Sequence, residues 1–389
     1  MPIRNRFAEL HTEIAGWRQD IHAHPELLFE THRTSAIVAE KLKSFGCDEV
    51  VEGIGRTGVV GVIKGKGNTS GRAVGLRADM DALPIMEETG VAYASTVPGA
   101  MHACGHDGHT AMLLGAAKYL AETRGFDGTV VVIFQPAEEG GGGGREMVED
   151  GLMERFGIDE VYGMHNWPGI PAGRFAIRTG PFFAAADLLR IEVTGKGGHA
   201  AKPHETIDAT VASSHIVLAL QSIVSRNVNP VDQAVVSITG FHTDATAFNV
   251  IAQRVTLKGT VRTLAPEVQD QVETRINTLV PGIAAAFGAE AEVHYQRNYP
   301  VMENAEVETD HAIAAAEAVA GAGACAESPL VMGGEDFAFM LNARPGAYIL
   351  VGNGDTAPVH SPGYNFNDDA IPAGCSWWVE IAERRLALP

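Results

Sequence analysis

Five stretches of the chain contain side chains that could bind metal ions. Four of them come at the end of, or just after, an apolar run that predicts a buried strand, and the fifth opens a run with helical character. Thiolate, imidazole and carboxylate groups are the usual ligands of zinc and similar divalent ions. In chain order, the stretches are AVGLRADMD with Asp79 and Asp81, MHACGHDGH with His102, Cys104, His106 and His109, VVVIFQPAEE with Glu138 and Glu139, VYGMH with His165, and AYILVGNGDTAPVH with His360.

Each stretch has an ordinary explanation when it is considered alone. A single histidine such as His165 or His360 is more often hydrogen-bonded in a loop than bound to a metal, and Cys104 could be a small buried hydrophobe. Glu138 and Glu139 could form a solvated strand end, but adjacent carboxylates beside a buried strand repel each other, and a cation reduces that cost. Because the carboxyl ends of parallel strands meet at one edge of a sheet, the five stretches together predict one metal site.

The number and type of these ligands predict a particular chemistry. One thiolate, three imidazoles and one carboxylate are too many ligands for a single four-coordinate catalytic ion, but they suit two divalent ions about 3.5–4 Å apart. Such a pair lowers the pKa of a water molecule and polarises a carbonyl group. A further carboxylate, Glu138, could act as general base, which predicts hydrolysis of an amide or similar bond. The predicted ligands are Cys104, His106, Glu139, His165 and His360.

Strands and helices alternate along most of the chain, which predicts an α/β fold with a mostly parallel sheet sandwiched between helices. One helix is predicted over CGHDGHTAMLLGAAKYLAETRG, with Gly125 as the glycine just beyond its end. From about residue 184 the pattern changes to β-α-β-β-α-β, which is typical of a ferredoxin-like α+β sandwich. We therefore predict a catalytic metal-binding domain formed by residues 1–183 and 296–389, with a smaller domain inserted at 184–295.

The composition excludes several classes of protein. The chain has 389 residues, of which 46% are hydrophobic, and its 48 acidic and 29 basic residues give a formal net charge of −19. This excess of negative charge repels nucleic acid and anionic lipid, so we expect neither a nucleic acid nor a membrane as a partner. The four cysteines show no paired spacing, and no segment has the length of a membrane span or the pattern of a secretory signal. We expect a cytoplasmic protein.

Nine sequence blocks, in the same order throughout, resemble one family of enzymes, and the similarity runs from about Trp17 to the end of the chain. That family is the metal-dependent amidohydrolases that include hippurate hydrolase, N-acyl-amino-acid amidohydrolases and plant auxin-conjugate hydrolases. The resemblance implies the fold of the co-catalytic metallopeptidases, with the inserted domain acting as a lid and dimerisation domain. The blocks are RADMDALP, MHACGHDGHTAMLLGAA, FQPAEEGGGG, GMHNWPG, GKGGHAAKPHETIDA, FNVI, GTVRT, MGGEDFAFM and HSPGYNFNDDAI.

The resemblance also implies roles for individual residues of the predicted metal site. In the family, the Cys-x-His pair of HACGH binds metal, the second glutamate of PAEEG is a ligand, and the first glutamate is the general base. The histidines of GMHNW and HSPGY are further ligands, and Asp81 is expected to orient a ligand. The implied ligands are Cys104, His106, Glu139, His165 and His360, and the implied base is Glu138.

Three residues of the inserted domain gain a role only through the resemblance. His199 of GGHAAKPH would stabilise the oxyanion of the tetrahedral intermediate, in its own subunit or in the partner subunit. Asn249 of FNVI and Arg262 of GTVRT would hold the substrate, the guanidinium binding a carboxylate through two hydrogen bonds. Without the resemblance, His199 would be an incidental residue of a tight turn, and Arg262 would form a salt bridge on a strand surface.

The implied reaction is hydrolysis of the amide bond of an N-acyl amino acid to a carboxylic acid and a free amino acid. A dipeptidase or carboxypeptidase, and a deacetylase of an N-acetyl diamino acid, are alternatives on the same scaffold. A non-catalytic protein that binds metal or peptide is a third. The mixed ligand set suits two divalent ions, manganese or zinc before nickel or cobalt. The expected partners are a small-molecule substrate and a second copy of the chain, in a homodimer or a homotetramer.

Overall fold

A computed structural model describes residues 5–389 of the chain, and this part contains ten α-helices and sixteen β-strands. The helices are α1 (Asn5–Ala23), α2 (His32–Phe45), α3 (His106–Thr123), α4 (Gly143–Glu149), α5 (Leu152–Arg155), α6 (Ala209–Arg226), α7 (Pro266–Ala286), α8 (Glu306–Ala320), α9 (Ala338–Ala343) and α10 (Ile371–Arg385). The strands are β1 (Glu49–Ile54), β2 (Gly58–Lys64), β3 (Ala73–Asp79), β4 (Thr129–Gln135), β5 (Glu160–Pro168), β6 (Phe175–Ile177), β7 (Gly180–Phe183), β8 (Ala185–Thr194), β9 (Gly198–His199), β10 (Ala234–Thr243), β11 (Val250–Ile251), β12 (Arg254–Thr263), β13 (Glu290–Tyr299), β14 (Met302–Asn304), β15 (Cys325–Glu327) and β16 (Gly346–Gly354).

The chain divides into two compact units, which are described separately. The first unit comprises the described residues up to Gly180 together with Glu303–Pro329 and Asp336–Pro389. The second unit comprises Pro181–Met302 and Leu330–Glu335. The second unit extends beyond the predicted insertion at 184–295 by three residues at its start and seven at its end, and it also includes six residues from far along the chain.

The first unit contains an eight-stranded sheet in the order β1-β2-β4-β3-β5-β16-β6-β15. The four central strands β4, β3, β5 and β16 are parallel to one another. Strands β1 and β2 extend the sheet in antiparallel pairs, and β6 runs antiparallel to β16. The prediction of an α/β fold with a mostly parallel sheet is confirmed. The edge at which β3, β4, β5 and β16 end is called the carboxyl edge below.

Apolar residues bury the sheet against helices. Strand β3 is buried along its whole length, and β4 is buried in all but its first residue, as expected for strands covered on both faces. One hydrophobic core joins these strands to α1, α2, α3, α8 and α10. Its largest side chains are Trp377 and Trp378 of α10, which are fully buried.

Helix α3 starts and ends at different residues from those predicted. It begins at His106 rather than Cys104, and the residue in the left-handed conformation at its end is Arg124, with φ of 49°, not the predicted Gly125. A non-glycine residue is unfavourable in that conformation. The Arg124 guanidinium offsets the cost by donating hydrogen bonds to Asp48 and to the carbonyl oxygens of Gly46 and Lys64.

The second unit has the predicted ferredoxin-like arrangement. Its four-stranded antiparallel sheet has the order β10-β12-β8-β13, and α6 and α7 share a hydrophobic core with the sheet. Alternate residues of β8 are buried, with Leu189, Ile191 and Val193 in the core and Leu188 and Arg190 exposed, which is the period of a strand covered on one face. A separate two-stranded ribbon pairs β9 with β11. Among residues 5–389, no helix combines the length and apolarity needed to cross a bilayer.

Candidate metal centre

Four of the five predicted metal-binding stretches lie at the carboxyl edge because they follow its parallel strands. Strand β3 ends at Asp79, with Asp81 two residues further on. Glu138 lies just after β4, His165 lies within β5, and His360 lies in the loop after β16. The sheet therefore brings side chains that are far apart in sequence to one place, as expected for a parallel sheet.

The turn after β4 is held by a buried carboxylate. Asp81 accepts hydrogen bonds from the backbone N–H groups of Glu138, at 3.0 Å, and of Glu139, at 3.1 Å. The preceding residue, Ala137, has a φ of 54°, a left-handed conformation that costs free energy for a residue with a Cβ atom. Asp81 thus holds the backbone of this turn and so fixes the positions from which the side chains of Glu138 and Glu139 extend.

Cys104 and His106 are separated by a glycine that no other residue could replace without rearrangement. Gly105 has a φ of 90°, and a Cβ atom there would collide with the side-chain amide of Asn166 and the hydroxyl of Tyr364. The glycine lets the chain turn so that Cys104 precedes α3 and His106 is its first residue, with both side chains buried.

In two of the predicted ligand histidines, Nδ1 contacts a backbone carbonyl oxygen and Nε2 faces other predicted ligands. The Nδ1 atom of His106 lies 2.9 Å from the carbonyl oxygen of Asp81, and the Nδ1 atom of His165 lies 2.5 Å from the carbonyl oxygen of Asn166. A carbonyl oxygen can only accept, so each Nδ1 carries a proton and donates it. In the neutral imidazoles, Nε2 is then the atom with the lone pair that a metal ion requires.

The predicted ligands converge on one centre. Cys104 Sγ lies 3.3 Å from His165 Nε2, and Glu139 Oε1 lies 3.4 Å from His360 Nε2 and 3.9 Å from His106 Nε2. Three overlapping groups each have their possible ligand atoms within 4.8 Å of one another, and they are Cys104–His106–His165, Cys104–Glu139–His360 and His106–Glu138–Glu139. All five predicted ligands and the predicted base therefore belong to one continuous cluster.

His360 differs from the other members of the cluster because it faces solvent. Its side chain is 53% exposed, whereas that of Glu139 is 10% exposed. Its φ of 63° is left-handed, and its backbone N–H donates a hydrogen bond of 2.7 Å to the carbonyl oxygen of Ala103. That bond ties the loop after β16 to the stretch that carries Cys104, so this loop forms the open side of the centre.

Two buried polar atoms at the centre lack hydrogen bonds to any described residue and could contact a cation. Among residues 5–389, the buried His106 Nε2 has no hydrogen-bond partner, although it lies 3.7 Å from Asp79 Oδ2. Within the same residues, Glu139 Oε1 is also buried without a hydrogen-bond partner. Buried polar atoms in folded proteins are nearly always satisfied. A divalent ion between these atoms would satisfy both, so the residues present fit the metal chemistry predicted from the sequence.

The pKa shifts of His106 and Cys104 also indicate that the carboxylates of the centre attract positive charge. Although burial opposes the charged imidazolium, Asp79 and Asp81 raise the pKa of His106 to about 10. Burial, followed by the carboxylates of Glu139 and Glu138, raises the pKa of the Cys104 thiol well above its usual value. Without metal, the centre thus favours the protonated forms of His106 and Cys104, and metal binding would displace those protons.

Two of the three predicted residues of the second unit lie together, and the third lies on another strand. His199 is in β9 and pairs with Val250 of β11, and the backbone N–H of Ala200 donates to the carbonyl oxygen of Asn249. His199 and Asn249 are therefore neighbours on one exposed ribbon. Arg262 lies apart from them on β12 and is half-buried.

Arg262 does not form the salt bridge that was its alternative explanation. Among the described residues no carboxylate lies within ion-pair distance of its guanidinium, and burial lowers its pKa despite the attraction of Asp187. Asp187 instead accepts hydrogen bonds from Gln269 and from the hydroxyl of Tyr295. The guanidinium of Arg262 therefore remains available to an anion.

The roles of several buried residues around the centre are not evident from the sequence. The spacing of His109 groups it with the possible ligands, but both of its ring nitrogens are hydrogen-bonded within the protein, to Asp79 and to Asn166. Tyr364 also contacts Asn166. Arg77 is fully buried and binds Asp79. A buried position for Asp79 and Arg77 follows from the apolar run of β3, but their partners come from other parts of the chain and leave no local signal.

A comparison with known families decides the identity of the scaffold. Residues 75–384 match the family described as "Peptidase family M20/M25/M40". The chain belongs to this family. The match includes every residue of the candidate metal centre. The resemblance drawn from the nine sequence blocks is confirmed, because the M20 relatives include hippurate hydrolase.

The M20 relatives share almost the whole length of the chain. A hippurate hydrolase of Campylobacter jejuni is 43% identical over 380 residues, which cover 97% of this chain and 98% of the relative. An N-acetylcysteine deacetylase of Bacillus subtilis is 38% identical over 381 residues, with 96% of each chain covered. A crystal structure of the Bacillus subtilis YXEP protein, described as a dinuclear metal-binding peptidase of the M20 family, superposes with a TM-score of 0.84 at 34% identity and covers 97% of this chain and 99% of its own.

Membership of the M20 family establishes the reaction class. The chain is a metal-dependent amidohydrolase that acts on a small-molecule substrate. The dinuclear relative and the cluster of candidate ligands together support two divalent metal ions.

Proposed function

We propose that the protein hydrolyses the amide bond of N-acyl amino acids, releasing a carboxylic acid and a free amino acid. The observation that carries the proposal is the convergence of five ligand-type side chains and one further glutamate at the carboxyl edge, with each group of ligand atoms within 4.8 Å. The similarity to a hippurate hydrolase over almost the whole chain supports an N-acyl amino acid as the substrate.

Five residues of the centre are proposed as the metal ligands. Two divalent ions held there would lower the pKa of the attacking water and polarise the scissile carbonyl group. Manganese and zinc suit this mixture of sulfur, nitrogen and oxygen donors, and nickel and cobalt also fit. Asp81 orients the ligands, through its carbonyl oxygen on His106 and its carboxylate on the backbone of Glu139. The ligands are Cys104, His106, Glu139, His165 and His360.

Glu138 is proposed as the general base and then the general acid. Its carboxylate takes a proton from the water as the water oxygen forms a bond with the carbonyl carbon. When the carbon–nitrogen bond of the tetrahedral intermediate breaks, Glu138 gives that proton to the departing nitrogen. Glu138 is 7% exposed and immediately precedes a proposed ligand, so its position is set by the same turn that positions Glu139.

Residues of the second unit are proposed to bind the substrate. The backbone N–H of Ala201 lies 3.1 Å from His199 Nδ1, so Nδ1 is the acceptor and the neutral ring carries its proton on Nε2. This Nε2–H group would donate to the oxyanion of the intermediate, in its own subunit or in a partner subunit. Replacing His199 with glutamine should lower kcat about 100-fold with the metal content unchanged. An unchanged kcat would contradict the role.

Arg262 and Asn249 are proposed to hold the amino-acid portion of the substrate. An N-acyl amino acid carries a free carboxylate, and a guanidinium without an internal ion pair can bind it through two hydrogen bonds. Because Arg262 is half-buried and burial lowers its pKa, an anionic ligand would restore the electrostatic balance at this position. Asn249 can accept or donate a hydrogen bond, which suits the amide group of the same substrate.

A second candidate function is deacetylation of an N-acetyl amino acid. The 38% identity to an N-acetylcysteine deacetylase favours this reaction, which has the same chemistry with a smaller acyl group. A dipeptidase or carboxypeptidase differs from both in acting on a peptide. These functions are separated by the size of the acyl group and by whether a free amino group is accepted.

We also propose that the chain forms a homodimer, or a homotetramer built from dimers, in the cytoplasm. Among residues 5–389, ten of the 15 large hydrophobic side chains that are exposed belong to the second unit, and Phe248 is fully exposed. Apolar surface of this kind commonly marks an interface. The four free cysteines suit a reducing compartment. A monomer in analytical ultracentrifugation would contradict the dimer.

The proposed function is tested by an activity screen on chelator-treated protein. Manganese, zinc, nickel or cobalt is restored, and hydrolysis is measured for N-benzoyl-glycine, N-acetyl amino acids, indole-acetyl amino acids and unblocked dipeptides. We expect activity only after metal is restored, and higher kcat/KM for the N-acyl amino acids than for the dipeptides. Turnover of the dipeptides alone, or equal activity without metal, would contradict the proposal.

A further inference from the structure

His109 lies among the proposed ligands, yet its ring cannot bind a metal ion in this arrangement. The ring is fully buried, and its centroid is 4.7 Å from that of His165. Its Nε2 atom accepts the backbone N–H of Asn166 at 2.8 Å, and its Nδ1 atom lies 2.6 Å from Asp79 Oδ1. A backbone N–H can only donate, so the lone pair of Nε2 is used and the proton is on Nδ1. Both ring nitrogens are therefore committed to the protein.

Asn166 connects His109 to two of the proposed ligands. It directly follows His165 in β5, so the hydrogen bond from its backbone to His109 fixes the end of that strand. Its side-chain Nδ2 lies 2.6 Å from the carbonyl oxygen of Cys104. Its Oδ1 accepts a hydrogen bond of 2.6 Å from the hydroxyl of Tyr364. One asparagine thus links the backbone of Cys104 to the backbone beside His165.

The far end of these contacts is also anchored. Asp79 Oδ2 accepts a hydrogen bond of 2.8 Å from Arg77, and the backbone carbonyl of Asp79 accepts one from Thr110 of α3. Asp79 Oδ1 in turn faces Nδ1 of His109. His109 therefore has a hydrogen-bonded partner on each side of its ring.

We propose that Tyr364, Asn166, His109 and Asp79 form a positioning chain that holds Cys104 and His165 in place for metal binding. The proposal rests on the proposed function, because it presumes that Cys104 and His165 are ligands. These two residues are 61 positions apart and come from different elements, so their sulfur–nitrogen distance of 3.3 Å depends on contacts between those elements. Holding ligands in place beforehand reduces the ordering cost of binding, and loss of such supporting contacts typically lowers metal affinity about 10- to 100-fold.

Two buried tyrosines of the first unit provide a matched pair for the test. Tyr364→Phe removes only the hydroxyl that donates to Asn166. Tyr162→Phe removes a similar hydroxyl, which donates a hydrogen bond of 3.1 Å to the carboxylate of Glu160. Glu160 is the first residue of β5, whereas His165 lies toward the other end of this strand. Both rings are fully buried, so each variant leaves one buried acceptor with a lost partner. Only the first loss lies in the positioning chain.

The experiment is a calorimetric titration of chelator-treated full-length protein with zinc or manganese, which gives stoichiometry and dissociation constants. We expect the wild-type protein to bind two ions. Tyr364→Phe should bind two ions with about 10-fold lower affinity, and Tyr162→Phe should differ from wild type by less than about twofold. The variant His109→Gln should lose about 100-fold, and combining it with Tyr364→Phe should cost less than the product of the two losses, because both act through Asn166.

Each outcome bears on a distinct claim. Failure of the wild-type protein to bind two ions would overturn the proposed function itself. Two ions bound by wild type with unchanged affinity in Tyr364→Phe would overturn the positioning chain and leave the proposed function standing. Equal loss of affinity in Tyr162→Phe would show a general effect of destabilisation, which also contradicts the chain. Loss of one bound ion in His109→Gln, with the other bound as in wild type, would make His109 a ligand. If His109→Gln does not fold, the tyrosine pair decides.

Discussion

The two ends of strand β5 carry buried charges that are satisfied in different ways. At its start, Glu160 is 1% exposed and accepts hydrogen bonds from Arg385, at 2.8 and 3.0 Å, and from Arg72, at 2.7 Å. Near its end, His165 belongs to a cluster in which His106 Nε2 and Glu139 Oε1 have no hydrogen-bond partner in the described part of the chain. The start of β5, where arginines neutralise Glu160, is called the balanced end below. The end near His165, where buried polar atoms lack partners among the described residues, is called the unbalanced end.

The difference separates a structural cluster from a binding site. Burying a carboxylate is costly unless it is paired and hydrogen-bonded. Glu160 meets that requirement with two arginines of the chain and ties β5 to the end of α10. The carboxylates of the carboxyl edge meet it only in part, with Asp79 bound to Arg77 and Asp81 bound to backbone N–H groups. A cation bound at the carboxyl edge would therefore reduce the free-energy cost of burying these carboxylates.

The largest effect is expected at the unbalanced end, from Glu138→Gln. This change keeps the size of the side chain but removes the proposed base, so kcat should fall about 1,000-fold or more. Metal content, measured by elemental analysis, should remain at two ions per chain. Near-normal turnover, or loss of a metal ion together with activity, would remove Glu138 from the role of base.

The balanced end should respond in stability rather than in chemistry. Glu160→Gln leaves two arginines beside a neutral amide, and breaking a buried ion pair from one side costs about 3 kcal/mol. The free energy of unfolding, from urea denaturation, should fall by roughly that amount, while kcat and metal affinity at permissive temperature stay unchanged. A change in metal affinity would mean that the two ends of β5 are coupled, which contradicts the comparison.

The smallest effect tests whether the two ends act independently. Ligand present at 100 times its dissociation constant stabilises a folded protein by about 2.7 kcal/mol per site. Added zinc or manganese should therefore raise the unfolding free energy by the same amount in wild type and in Glu160→Gln, because distant changes add. A markedly smaller increment in the variant would show that the arginine cluster supports the metal centre.

The strand ends were predictable from sequence, and so was the meeting of their side chains at one edge of the sheet. Runs such as TVVVIFQ identify buried strands by composition, and parallel pairing then brings the residues after β3, β4, β5 and β16 to one edge. The glycine of HACGH and the turn at PAEEG also reflect local backbone demands. These features lie within a few residues of the side chains they position.

Other features depend on contacts that sequence spacing cannot reveal. The end of α3 at Arg124 rather than Gly125 depends on hydrogen bonds from its guanidinium to residues as far away as Gly46. His109 has the spacing of a ligand, and only its partners Asp79 and Asn166 exclude it. The addition of Leu330–Glu335 to the second unit is likewise a long-range packing effect.

The most direct test of a two-metal centre is anomalous diffraction from crystals of the protein loaded with zinc or manganese. We expect two anomalous peaks about 3.5–4 Å apart at the carboxyl edge. Both should lie within bonding distance of side chains from the cluster of Cys104, His106, Glu139, His165 and His360. A single peak there, or peaks only at other acidic groups of the chain, would contradict it.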